Sequence, residues 1–349
     1  MSRTFRTVSA VLGLLSVASV GPPPPNSDPS LLKSTEPLHE RDPARAAFFE
    51  QRGIQLVSEG KCEAAVEQFR RAAALDPASA GTYINMAYCL DKLGRYEQAI
   101  AELKRARDIS PSNTTIYVNW GNSLINMRRF EEALVPLQQA CALNPSNQLV
   151  RLNLAAAFTN LGRHQEAVDE LTMAADLAPE SVGIVVTLAV AQANAGATNQ
   201  ALASYARAVE LDPTNLLARV NRAVLLEKLG RYIEAADELG HAAEVDPRNG
   251  QLFFNWALAL SAAGQTAQAI EKYERAIELS QTNTAAYFNC AALYEKLGNL
   301  DGAIAKIEAA LAVDPANTLL QDILARLKKA RGKQSSGVRA SDAAPSSKQ

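Results

Sequence analysis

Between residues 80 and 113 the chain reads AGTYINMAYCLDKLGRYEQAIAELKRARDISPSN, and its apolar positions fall into two helical stripes. Tyr83, Met86, Ala87 and Leu90 share one helical face, and Ala99, Leu103 and Ala106 share another after Gly94. The pattern predicts two short amphipathic helices, about 80–93 and 96–109. Gly94 supplies the left-handed residue that ends the first, and Pro111 stops the second. Neither helix can bury its stripe alone, so the stretch needs neighbours.

Sliding this frame by 34 residues gives eight copies without a gap: 46–79, 80–113, 114–147, 148–181, 182–215, 216–249, 250–283 and 284–317. A small residue recurs in the first helix at Gly53, Ala87, Gly121, Ala155, Ala189, Ala223, Ala257 and Ala291. The second helix carries alanine without exception at Ala65, Ala99, Ala133, Ala167, Ala201, Ala235, Ala269 and Ala303, and again seven residues later in each copy. Small side chains there let helix backbones approach closely. Arg128 alone replaces the turn glycine, and Gln281 alone replaces the closing proline. With this spacing the chain resembles the tetratricopeptide repeat family. The resemblance implies an all-α fold, a right-handed superhelical solenoid of antiparallel helix pairs.

The junctions and ends carry signals of their own. Ser79, Asn113, Asn147, Ser181, Asn215, Asn249, Asn283 and Asn317 precede successive first helices and can cap them. Asp42 followed by Pro43 predicts the start of the solenoid. After Asn317 the segment 318–331 places Leu319, Leu320, Ile323, Leu324 and Leu327 on one face, as a helix covering the last repeat would. The polar tail 332–349 is expected to be disordered. Residues 21–42, with Pro22–Pro25, Pro29 and Pro37, read as an extended linker. Residues 1–20 have the order of a secretory signal, with Arg3 and Arg6 before an apolar run, which implies export to a periplasm or outside the cell. An organelle transit peptide and an uncleaved N-terminus in a cytoplasmic protein are the other readings, and only an uncleaved segment would bring a membrane contact.

Composition narrows the chemistry. A net charge of −2 gives no reason to expect nucleic acid as a partner. Cys62, Cys89, Cys141 and Cys290 lack metal-ligand spacing and read as free thiols at packing positions. His39, His164 and His241 are scattered, and no phosphate loop or nucleophile motif occurs, so neither an enzyme, a cofactor, a metal nor a small-molecule substrate is expected.

What remains is protein binding. The inner, concave stripe of the second repeat is expected to expose Ile84, Asn85, Tyr88 and Lys92. Carried along the array, it predicts peptide-binding residues Asn85, Asn119, Asn122, Asn126, Asn153, Asn160, Asn194, Asn221, Asn255 and Asn289, with Phe254 and Phe288 between them. An amide offers a donor and an acceptor, which suits a peptide backbone, and the apolar residues suit its side chains. The arrangement resembles the asparagine ladder in the tetratricopeptide arm of O-linked N-acetylglucosamine transferases. The same asparagines can instead serve packing or solvation. Ile84, Val118 and Leu152 stand where co-chaperones of the family hold a C-terminal carboxylate with basic groups, so that clamp is not expected. The reading is a non-catalytic scaffold for extended segments of other proteins; its alternative is an accessory subunit that recruits substrates to a separate enzyme. Two local departures are also expected: a bend at Pro136, and a soft joint in the fifth repeat, where Gly183, Thr187, Gln192 and Thr198 break the pattern.

Overall fold

A computed structural model describes residues 41–342, with side chains through residue 333. The signal-like segment 1–20, the linker as far as residue 40, and the tail 343–349 lie outside the described residues. Among the described residues there are seventeen α-helices and no strand, an all-α superhelical repeat fold.

The chain divides into two compact units, one ending at Ala197 and the other starting at Thr198. The boundary falls inside the fifth repeat, between its two helices. The first unit holds α1 (Pro43–Ser58), α2 (Cys62–Leu75), α3 (Ala80–Lys92), α4 (Tyr96–Ile109), α5 (Thr114–Asn126), α6 (Phe130–Leu143), α7 (Gln148–Asn160), α8 (His164–Leu177) and α9 (Val182–Asn194). The second holds α10 (Thr198–Leu211), α11 (Leu216–Lys228), α12 (Tyr232–Val245), α13 (Gly250–Ala262), α14 (Thr266–Leu279), α15 (Thr284–Lys296), α16 (Leu300–Val313) and α17 (Thr318–Asp342). Within each unit every helix packs on the next, and in the first unit α1, α3, α5 and α7 also touch one another in series.

Small residues make this stacking possible. The alanines from Ala65 to Ala303 at the first conserved-frame position are fully buried, as are their partners from Ala106 onward. A methyl at Gly121 would lie 2.5 Å from Cγ of Leu137, and one at Gly53 would lie 2.5 Å from the ring of Phe69. The glycine therefore marks backbone pressed against a large side chain of the second helix.

Each helix pair is closed by the same turn. Seven turn glycines adopt φ between 72° and 79°, and Arg128 adopts the same left-handed conformation at φ 61°. The following amide then reaches back to the last turn of the helix, as in Arg95 N to Leu90 O at 2.8 Å and Arg129 N to Leu124 O at 2.9 Å. Arg128 pays the steric cost that glycine avoids, because its Cβ crowds the following carbonyl.

The caps follow the expected positions with one correction. Asp42 accepts from Arg45 N at 3.0 Å, with Pro43 at the first helical position. Ser79, Asn113, Asn147, Asn215, Asn249, Asn283 and Asn317 accept from the amides of their helices. Ser181 makes no such bond. The second residue of its helix is Gly183, whose carbonyl takes the hydroxyl of Thr187 at 2.7 Å.

Pro136 is buried inside α6, and the helix continues past it to Leu143. The last helix runs on to Asp342, beyond residue 331 and into the stretch expected to be disordered. Gly332 costs a helix only about 1 kcal/mol, and the first residue that forbids helix is Pro345. Leu320 and Leu327 of α17 are buried against the core of the second unit, with Ile323 and Leu324 partly so. All four cysteines are free; Cys89 and Cys290 are buried, Cys62 and Cys141 half-buried.

Candidate functional site

The inner stripe predicted from the pattern behaves differently in the two units. In the first, Ile84 and Val118 are not exposed but belong to the core, because α1, α3, α5 and α7 close upon one another. Four of the expected groove asparagines are buried with them: Asn85, Asn119, Asn122 and Asn153. Both polar atoms of Asn85 and of Asn119, the amide nitrogen of Asn153 and the oxygen of Asn122 have no hydrogen-bond partner in the protein. Such groups are costly, at roughly 1–3 kcal/mol each when nothing compensates them.

The second unit places a tyrosine hydroxyl near two of the equivalent asparagines. There Asn289 stands near the hydroxyl of Tyr273 and Asn221 near that of Tyr205, and burial raises both hydroxyls above their usual range. The equivalent places before Asn85, Asn119 and Asn153 hold Phe69, Leu103 and Leu137, which offer no hydroxyl. Before Asn255 stands Leu239, and Asn255 instead accepts from Gln251 Nε2 at 2.8 Å.

The other expected asparagines are more open. Asn126 is exposed and its amide reaches Asp91 Oδ2 at 3.3 Å. Asn160 is exposed and donates to the carbonyl of Ala156 at 2.8 Å, while Asn194 is half-buried.

The second unit keeps its inner face open and apolar. Phe288 is 38% exposed, Leu258 39% and Leu217 43%, with Val220, Val224 and Phe254 half-buried beside them. Phe254 packs edge-on to Tyr273, ring centres 5.7 Å apart, which fixes its orientation. Asn221, Asn255 and Asn289 follow Val220, Phe254 and Phe288 directly in sequence and are half-buried.

Sequence reasoning passed over several of these residues. Leu217 and Leu258 lie at inner-face places of their repeats, and Leu258 occupies the place of Tyr88 and Asn122, so the same frame reaches them. Asp91, next to Lys92 in the chain, is buried, and its Oδ1 accepts from the Ser123 hydroxyl at 2.8 Å. Burial raises the Asp91 carboxyl above its usual range, against hydrogen bonds from Ser123 and Asn126 and the charge of Lys92. Burial likewise raises Glu50 and Glu227, which sit on α1 and α11.

Among the described residues no group of His, Cys, Asp and Glu is arranged to hold a metal ion. No helix among them is long and apolar enough to cross a membrane.

Comparisons with known proteins follow the same geometry. Family models described as tetratricopeptide repeats match residues 56–117, 118–182, 204–236, 257–298 and 284–317. No curated protein matches the chain. Among solved structures, the C-terminal part of a repeat-containing protein from Cytophaga hutchinsonii is 17% identical, with a TM-score of 0.60 over 68% of this chain and 97% of that one. A tetratricopeptide repeat protein from Parabacteroides merdae is 18% identical, with a TM-score of 0.49 over 71% of this chain and 98% of that one. YrrB, a repeat protein with an unusual peptide-binding site, is 21% identical, with a TM-score of 0.44 over 51% of this chain and 90% of that one. From the 34-residue frame through the helix pairs to these matches, the chain is a tandem array of tetratricopeptide repeats.

Proposed function

We propose that the chain is a non-catalytic interaction scaffold that receives extended segments of other proteins on the inner face of its second unit. The observation that carries this is the exposure of Leu217, Leu258 and Phe288 on the first helices of three successive repeats. Apolar side chains gathered on one face are a docking surface when a partner covers them. The amides of Asn221, Asn255 and Asn289 beside them suit a backbone, and the apolar places between suit its side chains. The partner is therefore an extended segment carrying apolar side chains.

A phage-displayed library of random dodecapeptides, panned on the full chain, tests this. Selected peptides should be rich in aliphatic and aromatic residues. They should bind a Leu258→Ser, Phe288→Ser variant at least about tenfold more weakly, equivalent to about 1.4 kcal/mol. Both side chains are exposed, so the variant should keep its circular dichroism and melting temperature. Peptides that bind it as tightly as the wild type would overturn the assignment of this face.

A further inference from the structure

Cys62 is the first residue of α2 and Cys89 lies in the last turn of α3, and these two helices pack on each other within the first unit. An ion pair of 2.9 Å between Arg95 and Glu63 holds the start of α2 against the turn that closes α3. There Cys62 packs on the core that contains Cys89, and the two thiols stand beside one another, both reduced. Packing does not demand sulfur at either place. The repeat frame puts Tyr96, Phe130 and His164 where Cys62 stands, and Ser123, Ala157 and Ala191 where Cys89 stands. The pair belongs to one junction of the array.

The two sulfurs differ in access. Cys62 is half-buried and open to small molecules in solvent, whereas Cys89 is fully buried. Burial, and after it the nearby Cys62, raises the Cys89 thiol above its usual range, so it keeps its proton at neutral pH. A small oxidant therefore meets Cys62 first and reaches Cys89 only through it.

We propose that Cys62 and Cys89 are a redox pair that a hydroperoxide converts to a disulfide, stapling the first repeat to the second. The Cys62 thiolate attacks a peroxide oxygen, forming an S–O bond as the O–O bond breaks; the departing hydroxide takes a proton and becomes water. Cys89 then gives up its proton and attacks the Cys62 sulfur. The S–S bond forms as the S–O bond breaks, and the released hydroxide takes that proton as a second water. The two thiols lose two electrons and the peroxide gains them. The second step is the slow one, because burial holds the proton on Cys89. The link restricts the unfolded chain between residues 62 and 89 and so stabilises the fold. Nothing in this depends on reading the second unit as peptide-binding.

Peptide mapping of the full chain tests it. The dilute, reduced protein is treated with equimolar hydrogen peroxide, alkylated with iodoacetamide and digested with trypsin without reduction. Mass spectrometry should find peptides 62–70 and 72–92 joined, and dithiothreitol should separate them. The link should form faster at about pH 8 than at about pH 6.5, because the second step needs the Cys89 thiolate. Oxidised wild type should unfold at a higher urea midpoint than reduced wild type, and Cys62→Ser and Cys89→Ser should show no such rise. Cys62 recovered unmodified, as the sulfinate or linked to a second chain would overturn the pairing. A link that leaves the midpoint unchanged, or lowers it, would overturn the staple. Should either serine variant fail to fold, the joined peptides and the wild-type midpoints still decide.

Discussion

Two residues carry costs that the fold tolerates, and each can be measured. Arg128 occupies a left-handed turn at φ 61° where the seven equivalent residues are glycine. Its guanidinium lies 6.0 Å from the ring centre of Phe130, a weak compensation at an exposed site. Arg128→Gly should therefore raise stability by about 1 kcal/mol, read as a shift of the urea midpoint with unchanged slope. Loss of stability would mean that the Phe130 contact outweighs the backbone strain. Asp91 is the second. Burial raises its carboxyl, so the folded state holds the proton more tightly than the unfolded chain does. Its contribution is then fully present below the unfolded pKa and is lost as pH rises through the folded value. At about pH 8 Asp91→Asn should be at least as stable as the wild type, and its relative advantage should shrink on titration towards about pH 4. Urea unfolding of both proteins at the two pH values decides it. An Asn variant that is weaker at about pH 8 would show the charged form to be net stabilising.

At the scale of the helix, junction chemistry was legible from sequence because it depends on residues within a few positions of one another. Asn147 is the clearest case, accepting from the amides of Leu149 at 3.0 Å and Val150 at 3.3 Å. Ser181 looked equivalent, yet its side chain caps nothing. Asn147→Ala should cost about 1 kcal/mol, and Ser181→Ala should cost close to nothing. Equal losses in thermal melts of the two variants would show that Ser181 caps α9 in solution. The extent of α17 was less legible. A polar composition argues against packing but does not forbid helix, and no residue between Arg331 and Asp342 breaks one. The inner stripe failed for a different reason. Helical periodicity says which residues share a face, but not how closely the next helix covers that face. The first helices of the first unit touch in series and so hide Asn85, Asn119 and Asn153, whereas the second unit leaves Leu258 and Phe288 open. One pattern therefore produced two surfaces.

At the scale of the whole molecule, a continuous 34-residue frame suggests a single uniform array, yet the chain divides into two compact units at residues 197 and 198. The division falls where the repeat departs most from its own pattern. Gln192 stands where Leu90 and Phe158 stand elsewhere, Thr198 where Tyr96 and Phe130 stand, and the cap of α9 makes no bond. In a nearly one-dimensional array stability is a sum over units and their interfaces, so cooperativity is expected to fail where a unit is poorly matched. The chain carries its own reporters for this, because it has two tryptophans, Trp120 on α5 and Trp256 on α13, one in each unit. Trp256→Phe leaves fluorescence reporting the first unit, and Trp120→Phe leaves it reporting the second. Urea unfolding followed in each variant should give two curves with distinct midpoints, and the far-UV circular dichroism of the wild type should follow their sum in two steps. Gln192→Leu combined with Thr198→Tyr should draw the two midpoints together by restoring the large apolar side chains that the other repeats carry. Coincident curves in the unmodified background would show that the eight repeats unfold as one cooperative body despite the broken fifth.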